Sequence, residues 1–381
     1  AIKRTLIKQG IPEEDAGNCD ITGCYEFVPR GKGNSTISGF LNMLKPLELI
    51  FNNGINPHTG IVCGCKTGEL KNITCFDQFY AAYIEQLDHI IEIIIKCAND
   101  LEQFLSYVSP AQVFSATIEN SLKTARDAFQ NGSVYNLSMI LAVGFATVVD
   151  ALTVIKEFVF EKREISLEEF HDILKNDWKG HKKLRLKILR SKNKFGNGIE
   201  TVDALAEKVA RHLAKKINKR PNARGGFYMA SMHSARMFIV MGEKTGATPD
   251  GRMAGEEMSK NISPTMGMDV NGVTALVKSV TRIDSALFPG DFPLDVMMHP
   301  ATVQGDEGLA AMRRLIDVYM KNHGIAIHFN VFDAKVLLDA QKHPDKHQGL
   351  QVRVCGWNVR FNDINKKEQD AYIRRAQSIS E

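Results

Sequence analysis

The sequence predicts an α/β fold in which parallel strands alternate with helices. Three observations point there. Segments 226–241, 324–332 and 350–354 are rich in β-branched, aromatic or apolar residues and read as strands. Apolar residues recur at helical spacing between them, at 307–322 and 333–342, and again at 365–378. The composition is that of an ordinary globular chain, with 381 residues of which 44% are hydrophobic and 24% charged. Strands separated by helices are the pattern of a parallel barrel or sheet.

In chain order, the first forty residues form a mixed, Gly-rich stretch with a loop at 29–36. Helical periodicity covers 40–51, followed by turns at Asn52-Asn53-Gly54 and Asn56-Pro57-His58-Thr59-Gly60. Apolar positions recur at helical spacing over 76–106, 112–131, 141–162, 167–178 and 199–218, so the chain up to Ile217 reads as mostly helical. Ser166 with Glu169 three residues on forms a capping box for the helix that starts there. Segment 226–241 reads as one buried strand closed by Gly242, and 245–252 as a loop punctuated by Gly and Pro. No repeat, low-complexity tract or linker divides the chain.

Charge and cysteine usage exclude several functions. Basic residues number 48 against 44 acidic, a formal charge of +4. The basic clusters at 182–194 and 207–220 are interleaved with Leu, Ile and Ala, as on solvated helix faces, so no nucleic-acid partner is expected. No apolar run approaches the roughly 18 residues of a membrane span, so no membrane association is expected. The start at Ala1-Ile2-Lys3-Arg4 has no Met and no signal-peptide pattern, and reads as a processed chain or a fragment. The seven cysteines are irregularly spaced, and Cys63-Gly64-Cys65 is too short and isolated for zinc. Free thiols in a reducing, cytoplasmic compartment are expected, with no metal site.

Two short segments carry the chemistry. Gly23-Cys24-Tyr25-Glu26 sets a thiol two residues from a carboxylate, and in an extended segment these positions share a face. Alone, the triplet reads as a buried Cys beside a surface Glu. Near the other end, Arg353-Val354-Cys355-Gly356-Trp357-Asn358-Val359-Arg360-Phe361 follows a strand pattern, and its Gly suits a turn position with positive φ.

Taken together, the two segments resemble the glycyl radical enzymes, the family of pyruvate formate-lyase and the glycerol and diol dehydratases. The resemblance extends to Thr248-Pro249-Asp250-Gly251-Arg252 with Ser263-Pro264, to Leu294-Asp295 and to Phe329-Asn330-Val331, and so covers nearly the whole chain. It implies half of a ten-stranded barrel surrounded by helices, with the radical loop near the C-terminus. Residues 1–260 would form the cysteine-loop and helical barrel region, and 261–381 the glycyl radical domain. It further implies an organic radical on Gly356, with no bound cofactor, installed by a separate S-adenosylmethionine iron–sulfur activating enzyme under anaerobic conditions. Gly356 would oxidise Cys24 to a thiyl that takes hydrogen from a small-molecule substrate, with Glu26 as general base.

The pattern around Cys24 narrows the expected reaction. Pyruvate formate-lyase has two adjacent cysteines, whereas Tyr25 follows Cys24 here, so acyl transfer to coenzyme A is not expected. Gly-Cys-x-Glu resembles the lyases, and C–O or other C–X cleavage of a dehydratase type is the leading expectation. An arylacetate-type radical decarboxylase is the alternative. Trp357 stands where most members have Tyr, and the Asp that glycerol-type dehydratases carry near Ser38 is missing, which argues against glycerol. Arg236, His58 and Asp295 are candidate substrate-binding residues. Against them stand a structural Arg–Glu pair, a solvated turn histidine and a strand-end carboxylate. His299 and His328 read as core or supporting groups, and the methionines of 229–237 and 297–298 as core filler. Family members are about twice this length, so a third expectation is a half-chain or radical-domain subunit completed by an N-terminal half or partner chain. A homodimer is the family's usual assembly.

Overall fold

A computed structural model describes residues 1–354 and 356–377 of the chain. Cys355 of the glycine motif and 378–381 lie outside the described residues. The fold is α/β. Strands β1 (Cys19–Thr22) and β2 (Glu26–Pro29) form an antiparallel hairpin in which Thr22 pairs with Glu26. Strands β3 (Gly33–Asn42), β4 (Tyr135–Val143) and β5 (Phe227–Ser231) form a parallel sheet in that order. Strands β6 (Pro293–Met298) and β7 (Ala326–Val331) pair in parallel, and a single parallel bridge from Ser231 to Asp291 ties β5 to the start of β6. Strands β8 (Gln351–Val354) and β9 (Trp357–Arg360) close a second antiparallel hairpin.

Helices cover the strands where the spacing predicts them at Phe76–Glu102, Leu167–Lys175, Glu200–Ile217, Gly305–Lys321, Ala334–Lys342 and Lys366–Gln377. The Ser166–Glu169 capping box is present, with both reciprocal hydrogen bonds made. The main core joins β4 to the helices Phe76–Glu102, Phe145–Val154 and Glu200–Ile217. A separate small core (Leu337, Val352, Phe361, Ile373 and Ala376 among others) lies under the β8–β9 hairpin.

Several sequence expectations are corrected. The first forty residues include the helices Ile2–Lys8 and Glu13–Gly17, and the stretch predicted as a loop at 29–36 enters β3 at Gly33. Segment 40–51 is the end of β3 followed by the helix Lys45–Phe51, and segment 112–131 breaks into short helical turns. The segment 141–162 begins as strand β4 before the helix Phe145–Val154. Every residue of β4 after Tyr135 is buried. A strand covered on both faces loses its alternation and reads as a continuous apolar run, as a buried helix does. The expected long strand 226–241 ends at Ser231, where the register with β4 stops at Leu141, and the chain re-forms as the helix Met237–Glu243. Strand β8 pairs antiparallel with β9 and not with a parallel neighbour. No described helix is long and apolar enough to cross a membrane, and no disulfide joins the described cysteines.

Candidate active site

The two hairpins meet tip to tip. Cys24 lies at the turn between β1 and β2, and Gly356 at the turn between β8 and β9. Gly356 has φ +106°, a conformation that L side chains rarely adopt. A Cβ added to it would fall on Cβ of Cys24, 2.5 Å from its Cα and 2.8 Å from its Sγ. Glycine is therefore required twice over, by its backbone angle and by the approach of the thiol.

The cysteine turn also fixes the carboxylate of Glu26. The backbone N–H groups of Cys24 and Tyr25 donate to Glu26 Oε2 at 2.5 and 2.9 Å. A side chain on Gly23, whose φ is +59°, would stand 2.5 Å from that oxygen. Thiol and carboxylate thus share a three-residue turn and not the extended segment the sequence suggested. Glu26 is 5% exposed, and its other oxygen, Oε1, lies 3.9 Å from Nδ1 of His233.

Behind Glu26 lies a buried group. His233 and Asp291 are fully buried, and His233 Nδ1 is 3.4 Å from Asp291 Oδ2. The Ser231 hydroxyl donates to Asp291 Oδ1, and the His233 N–H donates to Ser231 Oγ at 3.0 Å. Burial, reinforced by the Glu26 charge and opposed by the Ser231 hydrogen bond, pushes the Asp291 carboxyl up to about 8. Burial likewise pushes His233 down to about 4, against the pull of Glu26. Both groups are then neutral near pH 7, so their contact is dipolar and not an ion pair. Donor atoms of Glu26, His233 and Asp291 lie within 4.8 Å of one another, donor types that could hold a cation. A protonated Asp291 leaves that set one anion short, and the trio is better described as a proton-holding group.

These values carry a stability consequence. Between about pH 7.5 and 8.5 the folded chain keeps part of a proton on Asp291 that the unfolded chain has released, while His233 is essentially neutral in both. The unfolded state binds fewer protons there, so stability should fall as pH rises through this window. Urea unfolding at the two ends of the window should show the fall in the parent and a flatter response in Asp291→Asn. Equal slopes would place the titration elsewhere.

A second cluster adjoins the first. Lys260 Nζ is 2.7 Å from Asp295 Oδ1, the Asn261 amide donates to Oδ2 at 2.5 Å, and His328 Nδ1 is 3.0 Å from Oδ1. Burial works to raise Asp295, but the charge of Lys260 and the hydrogen bond from His328 outweigh it and hold the carboxyl below the ordinary range. Tyr25 spans both clusters: its ring meets His233 edge-on at 5.4 Å, and its hydroxyl is 3.4 Å from His328 Nδ1.

The structure therefore brings Cys24, Glu26 and Gly356 together, and sets Asp295 beside Tyr25 through His328. Asp295 is already clamped by three partners. Arg236 lies just before the helix Met237–Glu243, is half exposed, and pairs with Glu368 at 2.6 Å. It leaves the sheet because β5 ends five residues earlier, at Ser231. His58 is exposed in its turn, where its N–H donates to Asn56. Among the described residues, no hydrogen bond or ion pair given by the structure links Arg236 or His58 to the cysteine turn. Sequence reading missed Ser231, His233, Asp291 and Lys260. The available signal was a polar run, Ser231-Met232-His233-Ser234, inside an apolar stretch, and a lone acid in Phe288-Pro289-Gly290-Asp291-Phe292-Pro293. The loop 248–252 is structural: buried Arg252 donates to the carbonyls of Gly242, Thr245, Gly246 and Glu256. A cavity of about 460 Å³ opens beside Arg252, and its described lining includes none of Cys24, Glu26 or Gly356.

The sequence profile described as "Pyruvate formate lyase-like" matches residues 1–242, and the profile "Glycine radical" matches 258–362. Trans-4-hydroxy-L-proline dehydratase of Clostridioides difficile is 32% identical over 377 residues, covering 99% of this chain and 48% of that protein. (2S)-3-sulfopropanediol dehydratase of Klebsiella oxytoca is 28% identical over 378 residues, covering 98% and 46%. A solved structure concerning 1,2-propanediol dehydration in Roseburia inulinivorans superposes with TM-score 0.94 at 32% identity, covering 98% of this chain and 48% of that one. The chain spans about half the length of the curated relatives it matches.

Proposed function

The chain belongs to the glycyl radical enzymes of the pyruvate formate lyase-like family, and from that premise we propose that it carries the radical half of a lyase of the dehydratase type. The observation that carries this reading is the contact of the two hairpin tips, with Cys24 Sγ 2.8 Å from where a Cβ of Gly356 would be.

The radical on Gly356 is delocalised between its amide nitrogen and carbonyl, and a residue without a side chain leaves the centre free to become planar. It takes the hydrogen atom of the Cys24 thiol, giving glycine and a thiyl. The thiyl takes hydrogen from a substrate carbon that bears a hydroxyl. S–H and activated C–H bonds are close enough in strength for the transfer to run both ways. Glu26 takes the hydroxyl proton, the resulting radical expels the neighbouring leaving group, and the product radical recovers hydrogen from Cys24. Glu26 suits the base role because one oxygen is anchored by two backbone N–H groups while the other is left to exchange a proton. The protein itself thus carries chemistry more often given to a cofactor.

The five parallel strands β3 to β7 form half of a ten-stranded barrel in this reading, and an N-terminal half or partner chain supplies the remaining strands and part of the substrate pocket. The other partners are an S-adenosylmethionine iron–sulfur activating enzyme and a small hydroxylated substrate.

Anaerobic electron paramagnetic resonance tests the reading. After incubation with an activating enzyme, S-adenosylmethionine and the complementary half, the parent should give a doublet from the one hydrogen left on Gly356, and Gly356→Ala should give none. Turnover is then sought with trans-4-hydroxy-L-proline, (2S)-3-sulfopropanediol and 1,2-propanediol as probes. A silent parent beside an activated control enzyme would leave the fold without its radical and overturn the proposal.

A further inference from the structure

The buried group behind Glu26 has no assigned task. We propose that His233 and Asp291 are positioning residues acting on Glu26: Asp291 holds a proton against His233, so that neither places a second charge behind the Glu26 carboxyl. The inference rests on the functional reading above and extends it.

Three observations carry it. Asp291 is fully buried, and the neighbours that the structure gives its carboxyl are the Ser231 hydroxyl, His233 and, at longer range, the Glu26 carboxylate. None of these is a cation that could compensate an ionised carboxylate, and desolvation then favours the protonated acid. His233 is also fully buried, neither ring nitrogen has a hydrogen-bond partner among the described residues, and Nδ1 faces both carboxyls. The other charges that act on His233 are Lys260 and Asp295, and these pair with each other at 2.7 Å. Finally, Glu26 Oε2 is engaged by the cysteine turn, so the oxygen that exchanges protons is Oε1, on the side of His233.

The consequence is chemical. In a dehydration, the substrate O–H bond breaks and an O–H bond forms on Glu26 Oε1. That bond then breaks as the proton passes to the departing hydroxyl, and water leaves. One carboxylate must take a proton and give it back, so it must not be too basic. A second ionised carboxylate at His233 would raise the proton affinity of Glu26 and hold the proton there. Neutral Asp291 avoids this while His233 keeps a polar surface against Oε1.

Infrared titration of the protein, without substrate, tests the inference. The parent should show a carboxylic-acid C=O band at neutral pH that disappears with a midpoint near 8. The component with that midpoint should be absent from Asp291→Asn, leaving near neutral pH the acid band of buried Asp150, which burial pushes up to about 7, and in Ser231→Ala its midpoint should move upward, because a hydrogen bond favouring the ionised form is gone. The carboxylate bands of Glu26, identified by their loss in Glu26→Gln, should shift at the same midpoint in the parent and not in Asp291→Asn. No acid component with that midpoint, or Glu26 bands indifferent to Asp291, would overturn the proposal. If Asp291→Asn fails to fold, the Ser231→Ala shift decides. The resonance doublet of activated parent protein is recorded separately: its absence with the infrared titration intact sinks the radical reading and not the proton pair.

Discussion

Cys24→Ala is expected to abolish turnover, by about 10⁴-fold or more, while leaving the Gly356 radical in place. In the proposed reaction the two outcomes separate, because an activating enzyme would act on glycine, whereas substrate would be reached through sulfur. The thiol is set at the turn of a tight hairpin against Gly356, and no other described cysteine shares that turn. Gly356→Ala should lose both radical and turnover, and its methyl group would also collide with Cys24, so it alone cannot distinguish lost chemistry from lost packing. Cys24→Ala can, since it removes atoms from the contact. Glu26→Gln should keep the doublet and lose roughly 10² to 10⁴ in rate, the range of a general base. Anaerobic resonance spectra and product assays with the three probe substrates give both readings from one sample. Turnover surviving in Cys24→Ala would mean that hydrogen leaves the substrate by another route.

The legibility of these residues was uneven for physical reasons. Cys24, Glu26 and Gly356 could be named because each lies in a short motif whose chemistry is local. The Ser166–Glu169 cap was equally readable, since a capping box is closed within four consecutive residues. Strand β4 was not, because burial on both faces erased the alternation that marks a strand. Segment 226–241 reads as one strand because apolar and aromatic residues flank its polar run on both sides, but what ends β5 is where its neighbour β4 stops pairing, a fact written in another part of the chain. Arg236, inside the segment that reads as strand, therefore lies after the sheet and pairs with Glu368. His233 and Asp291 are far apart in sequence and are brought together where Ser231 bridges to Asp291. A residue whose role depends on such a tertiary partner carries no spacing that a sequence could reveal.

The structure also separates the groups behind the candidate site from a stabilising network along the strands. His233, Asp291 and Asp295 gather after β5 and around β6, whereas the opposite ends of β3 and β4 are locked by buried Arg224. Its guanidinium donates to Asn34 Oδ1 at 2.6 Å, to the Leu137 carbonyl at 2.6 Å and to Thr36 and Ser138 at 2.9 and 3.0 Å. Its charge is met by Glu102 at 3.4 Å, from the C-terminal turn of the helix Phe76–Glu102. Glu102 in turn accepts hydroxyl hydrogen bonds from Thr36, Ser38 and Ser138. Removing one charge strands the other in a site where neither is more than 5% exposed. Arg224→Met is therefore expected to cost about 3–5 kcal/mol in urea unfolding, and Glu102→Gln a comparable amount. The double variant should recover only part of the loss. Removing both charges ends the uncompensated-charge penalty, but Asn34, Thr36 and the Leu137 carbonyl remain without their donor. A single-variant cost below about 1 kcal/mol would show that water reaches the network and that the pair is effectively solvated. The same Arg224→Met protein, activated in the cold where it remains folded, should still give the Gly356 doublet, because nothing in this network touches the hairpin tips.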